Sequence, residues 1–248
     1  MNTNTTQFAE ICGIHAGDGY LRNDGRRREL DISGSIEEQP YYDDHVIPLF
    51  NSFFGLKISG RLFPSRQTYG FVIRDPSIIQ TLHSAGFPYG NKSTIVDVPS
   101  FILNSPNLNL HRAFLRGLFD TDGCINFDKK IRNSDIFKKT RHFYPRILFT
   151  TVSEKLAIGV KLLAEKQDFS CKVYRSQPAK STEHLKFKPQ IVGSYSILQW
   201  MEKINPKNPI KTSRFSVWEE FNFCPPNTTY KQRLQMLGRE VDPQSFYA

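Results

Sequence analysis

One stretch of this chain occurs twice, and that repeat limits the fold more than any other feature. Ile11-Cys12-Gly13-Ile14-His15-Ala16-Gly17-Asp18-Gly19 returns as Leu115-Arg116-Gly117-Leu118-Phe119-Asp120-Thr121-Asp122-Gly123, a shift of 104 positions. Ala9, Gly13, Asp18 and Gly19 fall on Ala113, Gly117, Asp122 and Gly123, and Tyr20-Leu21 falls on Cys124-Ile125. Ile11, Ile14 and His15 in one copy, and Phe114, Leu115, Leu118 and Phe119 in the other, recur at helical spacing. Each copy therefore reads as a helix that stops at Asp-Gly, where glycine tolerates the backbone of a helix end. The pairs Ala9/Gly13 and Ala113/Gly117 are four apart and share a face. Such faces let two helices come closer than the usual ~8–10 Å.

The chain downstream of each copy repeats as well. After the first come extended sequence at 29–35, an apolar helical segment at 43–54, alternating stretches at 57–62 and 69–74, and a helix at 76–85. After the second come strands at 125–127 and 144–151, a helix at 153–167, strands at 171–175 and 184–191, and a helix at 196–204. The reading is an α+β fold of two pseudo-symmetric αββαββα halves, joined through the repeated helices. Each half is a curved antiparallel sheet with helices on one face and the other face free. The halves are expected at 1–105 and 106–224. Pro225 and Pro226 then break the chain before a tail, 225–248, with one short helix at 229–237.

Composition adds a direction. The 248 residues carry a formal charge of +9. Residues 126–190 hold 15 Lys and Arg against 6 Asp and Glu, while 1–125 hold 11 against 13. Concentrated positive charge attracts a polyanion, and a twisted β-ribbon bearing it fits the DNA major groove. Lys186 and Lys188 share a strand face, as do Arg26 and Arg28 if that piece is extended. No apolar run approaches the ~20 residues of a membrane span. Residues 1–9 are polar, so secretion is not expected. Cys12, Cys124, Cys171 and Cys224 are far apart, which speaks against a zinc ribbon or a disulfide framework.

If the repeated helices pack side by side, Asp18 and Asp122 meet at their C-terminal ends. Like charges repel, and a helix C-terminus is already partly negative. Sharing a proton or binding a divalent cation relieves the conflict. Carboxylates with backbone carbonyls, here those of Gly17 and Thr121, suit a hard ion such as Mg²⁺. On a scissile phosphate such an ion would polarise the phosphoryl oxygen and activate water. Asp120-Thr121-Asp122-Gly123 lacks the later ligands of a calcium loop.

Positions 11–19 and 115–123 resemble the two motifs of the LAGLIDADG homing endonucleases, the second more closely than the first, which has His15 and Ala16 where an apolar residue and Asp are usual. The resemblance implies a monomeric, site-specific DNA endonuclease. It would cut both strands of a long, roughly pseudo-palindromic duplex with Mg²⁺, for which Ca²⁺ or Mn²⁺ could substitute, and leave three-prime overhangs. It implies Asp18 and Asp122 as catalytic metal ligands. It also implies a basic residue near each scissile phosphate: Lys92, in Gly90-Asn91-Lys92-Ser93, and Lys211, with Lys207 as the alternative. Expected DNA contacts are Arg22, Arg26, Arg28, Arg61, Arg66, Arg74, Lys138, Lys139, Arg141, Arg146, Arg175, Lys186 and Lys188. Two rivals share the fold: an intron RNA maturase and a catalytically silent DNA-binding regulator. An intein origin is not expected, and the expected place is the cytoplasm, nucleoid or an organelle.

Overall fold

The computed structural model describes residues 2–129, 141–178 and 183–247. Thr5 starts α1 (Thr6–Asp18), its hydroxyl accepting the Phe8 N–H at 3.2 Å. The chain runs straight into β1 (Gly19–Asn23) and turns back as β2 (Arg28–Ser35). A 3-10 turn, Ile36–Glu38, then leads into continuous helical chain: α2 (Gln39–Tyr41), a π turn at Tyr42–Val46 and α3 (Ile47–Phe54). Strands β3 (Arg61–Phe63) and β4 (Thr68–Ile73) come next, then α4 (Pro76–Ser84) and the single turn α5 (Ser100–Leu103). The second half repeats the pattern with α6 (Leu108–Asp122), β5 (Cys124–Asp128), β6 (Tyr144–Leu148), α7 (Glu154–Glu165), β7 (Cys171–Ser176), β8 (Lys186–Val192) and α8 (Ser194–Lys203). Helices α9 (Pro209–Phe221) and α10 (Tyr230–Leu237) and a 3-10 turn at Pro243–Tyr247 close the described chain. No helix among the described residues is long and apolar enough to cross a membrane.

The sheets have matching orders, β1-β2-β4-β3 and β5-β6-β8-β7, all antiparallel. Alternation sends Leu21, Leu30, Ile32, Phe71 and Ile73 of one sheet, and Ile125, Phe127, Ile147, Phe187 and Ile191 of the other, into the core. The α+β fold of two αββαββα halves is thus the one expected.

Three local readings differ. The stretch 57–62 is strand only from Arg61, because the Asn51 side chain takes the Ile58 N–H at 2.8 Å and donates to its carbonyl at 3.0 Å. Those backbone groups are satisfied without a ladder. Helix α9 was not anticipated, although Asn208 caps it and Pro209 opens it. Gly19 and Gly123, finally, are not there for an unusual backbone, since both are extended, with φ of −84° and −78°. They are needed because a ring lies on them. A Cβ on Gly19 would sit 2.5 Å from Cγ of His15, and one on Gly123 would overlap Cδ2 of the Phe119 ring. His15 is fully buried, edge-on to Phe87 at 4.5 Å, and burial pushes its pKa far down, so it packs as a neutral ring where an apolar residue was expected.

The two halves meet where α1 crosses α6. A Cβ on Gly13 would come within 2.8 Å of the Leu118 nitrogen, and one on Gly117 within 2.8 Å of the Ile14 nitrogen. Each helix therefore lays a glycine against the other's backbone. Beside the crossing, Glu10 pairs with Arg116 and with His45, both at 2.6 Å. Burial alone would raise the Glu10 pKa, but these partners outweigh it and hold it below the ordinary range.

Gly117→Ala forces backbone apart rather than a flexible side-chain tip. It is expected to cost about 3 kcal/mol, the upper end of ordinary overpacking. Urea denaturation of the variant beside the wild type measures this.

Candidate active site at the helix crossing

The crossing brings the two acids to one place. A Cβ on Gly17 would lie 3.3 Å from the Asp122 carboxyl carbon, so the residue before one acid touches the other. Asp18 is half-buried and accepts a hydrogen bond from the Tyr42 hydroxyl at 2.6 Å. Burial raises its pKa to about 7; Tyr42 opposes the rise, while the charges of Asp122 and Glu38 add to it. Burial also raises Asp122, and Lys211 and Lys92 oppose that rise. The Asp122 side chain is more open to solvent than that of Asp18, so its shift counts for less.

Two lysines flank the acids in equivalent places. Lys92 Nζ donates to the Gly17 carbonyl at 2.8 Å. Lys211 Nζ donates to the Thr121 carbonyl and, at 2.8 Å, to that of Gly123. Gly17 and Thr121 are matching positions of the repeat, so Lys211 is placed as Lys92 is. Lys207 instead gives its backbone N–H to Asp120 at 2.8 Å. Burial depresses the Lys92 pKa, against the pull of Asp122 and Asp18.

Asp120 is fully buried and belongs to the scaffold. It accepts the N–H groups of Lys207 and Asn208, and Asn208 Nδ2 returns a bond to its carbonyl at 2.7 Å. Burial raises the Asp120 carboxyl to about 7 while those N–H groups oppose it. This knot fixes the start of α9 and with it Lys211. Ala16, its counterpart, has no such task.

Several residues at the site were missed. Glu38 stands 3.9 Å from Lys211 and accepts from Asn208 Nδ2 at 2.8 Å. A Cβ on Gly34 would lie 2.8 Å from both Asp18 Oδ2 and Glu38 Oε2. The signal was present in the sequence: Ser35 to Glu38 is a capping box. Arg233 of α10 was missed too. It is buried and donates to Ser213 Oγ at 2.8 Å, to the Ile210 carbonyl at 2.9 Å and to the Thr228 carbonyl, bracing the turn that carries Lys211.

The donor set fits a hard divalent cation. Two carboxylates whose pKa values are both raised mark a place where negative charge is not fully offset by protein cations. The carbonyls of Gly17 and Thr121 each keep a lone pair beyond the one a lysine uses. Among the described residues no three His, Cys, Asp or Glu side chains form a ready-made ligand cluster. The acid pair would leave the remaining positions to carbonyls, water and phosphate.

Around this centre lie the two open sheet faces. Register places Arg22 and Arg61 on one, where Arg74 just past β4 also reaches, and Arg146, Lys186 and Lys188 on the other. Arg66, in the β3–β4 turn, reaches Asp31 on the first face at 2.8 Å. Other acids there also hold cations: Arg22 pairs with Asp24 at 2.6 Å, Arg74 with Glu29 at 3.0 Å, and Arg146 with Asp128. Two expectations need correction. Arg28 pairs with Asn23 on the side of Leu21 and Leu30, and Arg175 pairs with Phe187 and reaches Glu154 at 2.6 Å, so both lie on the helix side of their sheets. Arg26 sits in the β1–β2 turn held by Asp24, so it shares no strand face with Arg28. Arg141 is tied to the tail through Gln244 at 2.8 Å and lies over the Phe223 ring just before it. Lys138 and Lys139 lie outside the described residues. Lys172, unanticipated, shares the open face with Lys188, and among the described residues no carboxylate pairs with either.

Residues 109–205 match the profile of a LAGLIDADG-like domain. No curated protein matches the sequence. Among solved structures, mesophilic variants of the homing endonuclease I-DmoI superpose with a TM-score of 0.54 at 13% identity, covering 82% of this chain and 97% of that one. I-DmoI in complex with DNA and Mn gives the same figures, a TM-score of 0.54 at 13% identity over 82% and 97%. The I-LtrWI LAGLIDADG homing endonuclease bound to target DNA reaches a TM-score of 0.56 at 11% identity, over 88% of this chain and 89% of that one. At such identities the likeness is one of fold. The chain thus carries a LAGLIDADG-like domain at 109–205 and, taken whole, has the two-domain fold of the single-chain LAGLIDADG homing endonucleases.

Proposed function

We propose that the protein is a monomeric, site-specific endonuclease that hydrolyses both strands of duplex DNA and leaves three-prime overhangs. The observation that carries this reading is the pseudo-symmetric meeting of Asp18 and Asp122, each with a lysine beside it, between two sheets with open faces. Neighbours of this fold have been solved with DNA and with Mn or Ca, which supports a DNA partner and a divalent ion, here taken to be Mg²⁺.

Asp18 and Asp122 would hold the ion, with Gly17 and Thr121 lending carbonyls. Bound there, a divalent cation supplies Lewis acidity toward a phosphodiester and makes water acidic enough to attack it. Lys92 and Lys211 sit where they can orient the attacking water or offset charge that builds on the phosphate. Tyr42 fixes the Asp18 carboxylate by its hydrogen bond. The open faces grip phosphates through Lys172, Lys186 and Lys188 on one side. On the other, Arg22, Arg61, Arg66 and Arg74 act as positioning contacts, while polar strand residues read bases.

Asp122→Asn is expected to lower Mg²⁺-dependent cleavage of a selected duplex about a thousandfold, the several kcal/mol that a Lewis acid supplies. Binding of the same duplex in Ca²⁺ is expected to stay intact. Cleavage by this variant at the wild-type rate removes the assignment. Lys188→Ala is expected to reduce the slope of log K against log[salt] by about 0.9, one phosphate contact, in a binding titration.

A pH effect arises from the acids. The folded pKa values of Asp18 and Asp120 lie above the unfolded ones, so between about 4 and 7 the folded chain holds protons that the unfolded chain has lost. Stability in EDTA is therefore expected to fall as pH rises through that window. Asp18→Asn is expected to flatten the fall and to stabilise the EDTA-treated protein at pH 8 by on the order of 2 kcal/mol, read by denaturant melts at several pH values. Added Mg²⁺ is expected to raise the wild-type midpoint at pH 8 and to leave that of Asp18→Asn nearly unmoved.

A further inference from the structure

Each active-site lysine is held in place by the opposite half of the molecule. The segment bearing Lys92 continues to Val96, whose N–H returns to the Lys92 carbonyl at 2.8 Å. Ser153, at the start of α7 in the second half, donates its hydroxyl to the Val96 carbonyl at 2.6 Å. The segment bearing Lys211 is held from the first half, by Glu38 through Asn208.

Ser35 and Ser153 share a role. Each caps the first helical turn after the second strand of its half. Three residues beyond the cap the halves part company: the first has Glu38 and the second has Leu156. Seven residues beyond it, the first has Tyr42, bonded to Asp18, and the second has Val160 in the core. Leu156 lines the cleft that also contains Ala16, Gly17, Lys92 and Asp122. Both lysines feel the two acids, but among the described residues only Lys211 has a further carboxylate, Glu38, beside it; on the Lys92 side the residue three beyond the cap is Leu156. Glu38 and Lys211 are both largely buried, 13% and 15% exposed, so solvent screens their attraction weakly.

We propose that Glu38 is a positioning residue for Lys211, supplied across the interface between the halves, and that its replacement by Leu156 on the Lys92 side makes the two half-sites cut their strands at unequal rates. This rests on the endonuclease reading. Glu38 need not touch the DNA. It fixes the angle of the Lys211 ammonium over the Thr121 and Gly123 carbonyls, and small misplacements of a catalytic group carry large kinetic costs.

The test tracks both strands of a duplex, each with its own end label, in single-turnover cleavage with Mg²⁺. Wild type is expected to cut one strand faster and to pass through a nicked species. E38Q, which keeps the shape, is expected to slow one strand about tenfold or more, and E38D, which keeps the charge, to slow it less. That strand is expected to be the one lost in Lys211→Met, while the strand lost in Lys92→Met keeps its rate in E38Q. Binding in Ca²⁺ and the melting midpoint are expected to stay near wild type in E38Q. Equal slowing of both strands by E38Q, or none, overturns the proposal, and so does a wild type that cuts both strands at one rate. A wild type that cuts neither strand removes the endonuclease reading instead. A separate arm then still reads the positioning: with ¹⁵N-labelled lysine, the Lys211 Nζ resonance is expected to move in E38Q and that of Lys92 to stay. If the Lys211 resonance does not move, Glu38 does not hold it.

Discussion

The close crossing of α1 and α6 is the constraint on which the rest of the structure depends. Glycine at positions 13 and 117 removes the side chains that would hold the helices apart, and each backbone then lies on the other. The acids sit one turn further on, at Asp18 and Asp122. Had the helices stood at an ordinary ~8–10 Å, these carboxylates would each face water and each ionise freely. Drawn together, both have raised pKa values, and the half-buried Asp18 resists ionisation more than the exposed Asp122. The same glycines that join the halves thus create the charge problem that a bound divalent ion would relieve.

Symmetry at this crossing is kept by the backbone and broken by side chains. The glycine contacts, the sheet orders, the capping serines and the lysine–carbonyl bonds all come in pairs. Glu38, Tyr42, Asp120 and the Glu10–Arg116 pair occur once. Their counterparts are Leu156, Val160, Ala16, Phe114 and Cys12. Every one of these single features is polar and buried or nearly so, where an unmatched group is expensive and a matched one fixes geometry. A duplex presents two strands of opposite direction but different sequence, and a centre with one frame and two sets of supporting residues can treat them differently.

Much of this was legible in the sequence because the repeat reports on the backbone. Helix and strand periodicity, the small faces and the two acids can be read from residue spacing alone, and so can the antiparallel layout of each half. The missed features depend on contacts between distant segments. Glu38 meets Lys211 only because the halves cross, although its capping box was there to read. Asn208-Pro209 announced a helix, but its role in carrying Lys211 came from Asp120, which lies far back in the chain. Arg28 and Arg175 were misplaced because register decides which face a strand residue occupies, and a shift of one residue reverses every side chain. Gly19 shows a right residue expected for a wrong reason: a ring four residues earlier, not a strained backbone, demands it.

Glycine stripes allow close approach but do not choose a register, since one helix could slide a turn along the other and still find small residues. The Glu10–Arg116 pair supplies the choice. A slip by one turn, about 5.4 Å, would pull Arg116 off Glu10 and leave a buried carboxylate with His45 alone. Breaking a buried pair typically costs about 3–5 kcal/mol, far more than a glycine contact could return. The same slip would carry Asp122 away from Gly17 and out of reach of an ion shared with Asp18. A salt bridge that occurs only once, outside the site and away from the lysines, therefore joins the Ser153–Val96 and Asn208–Glu38 bonds in keeping the two acids level.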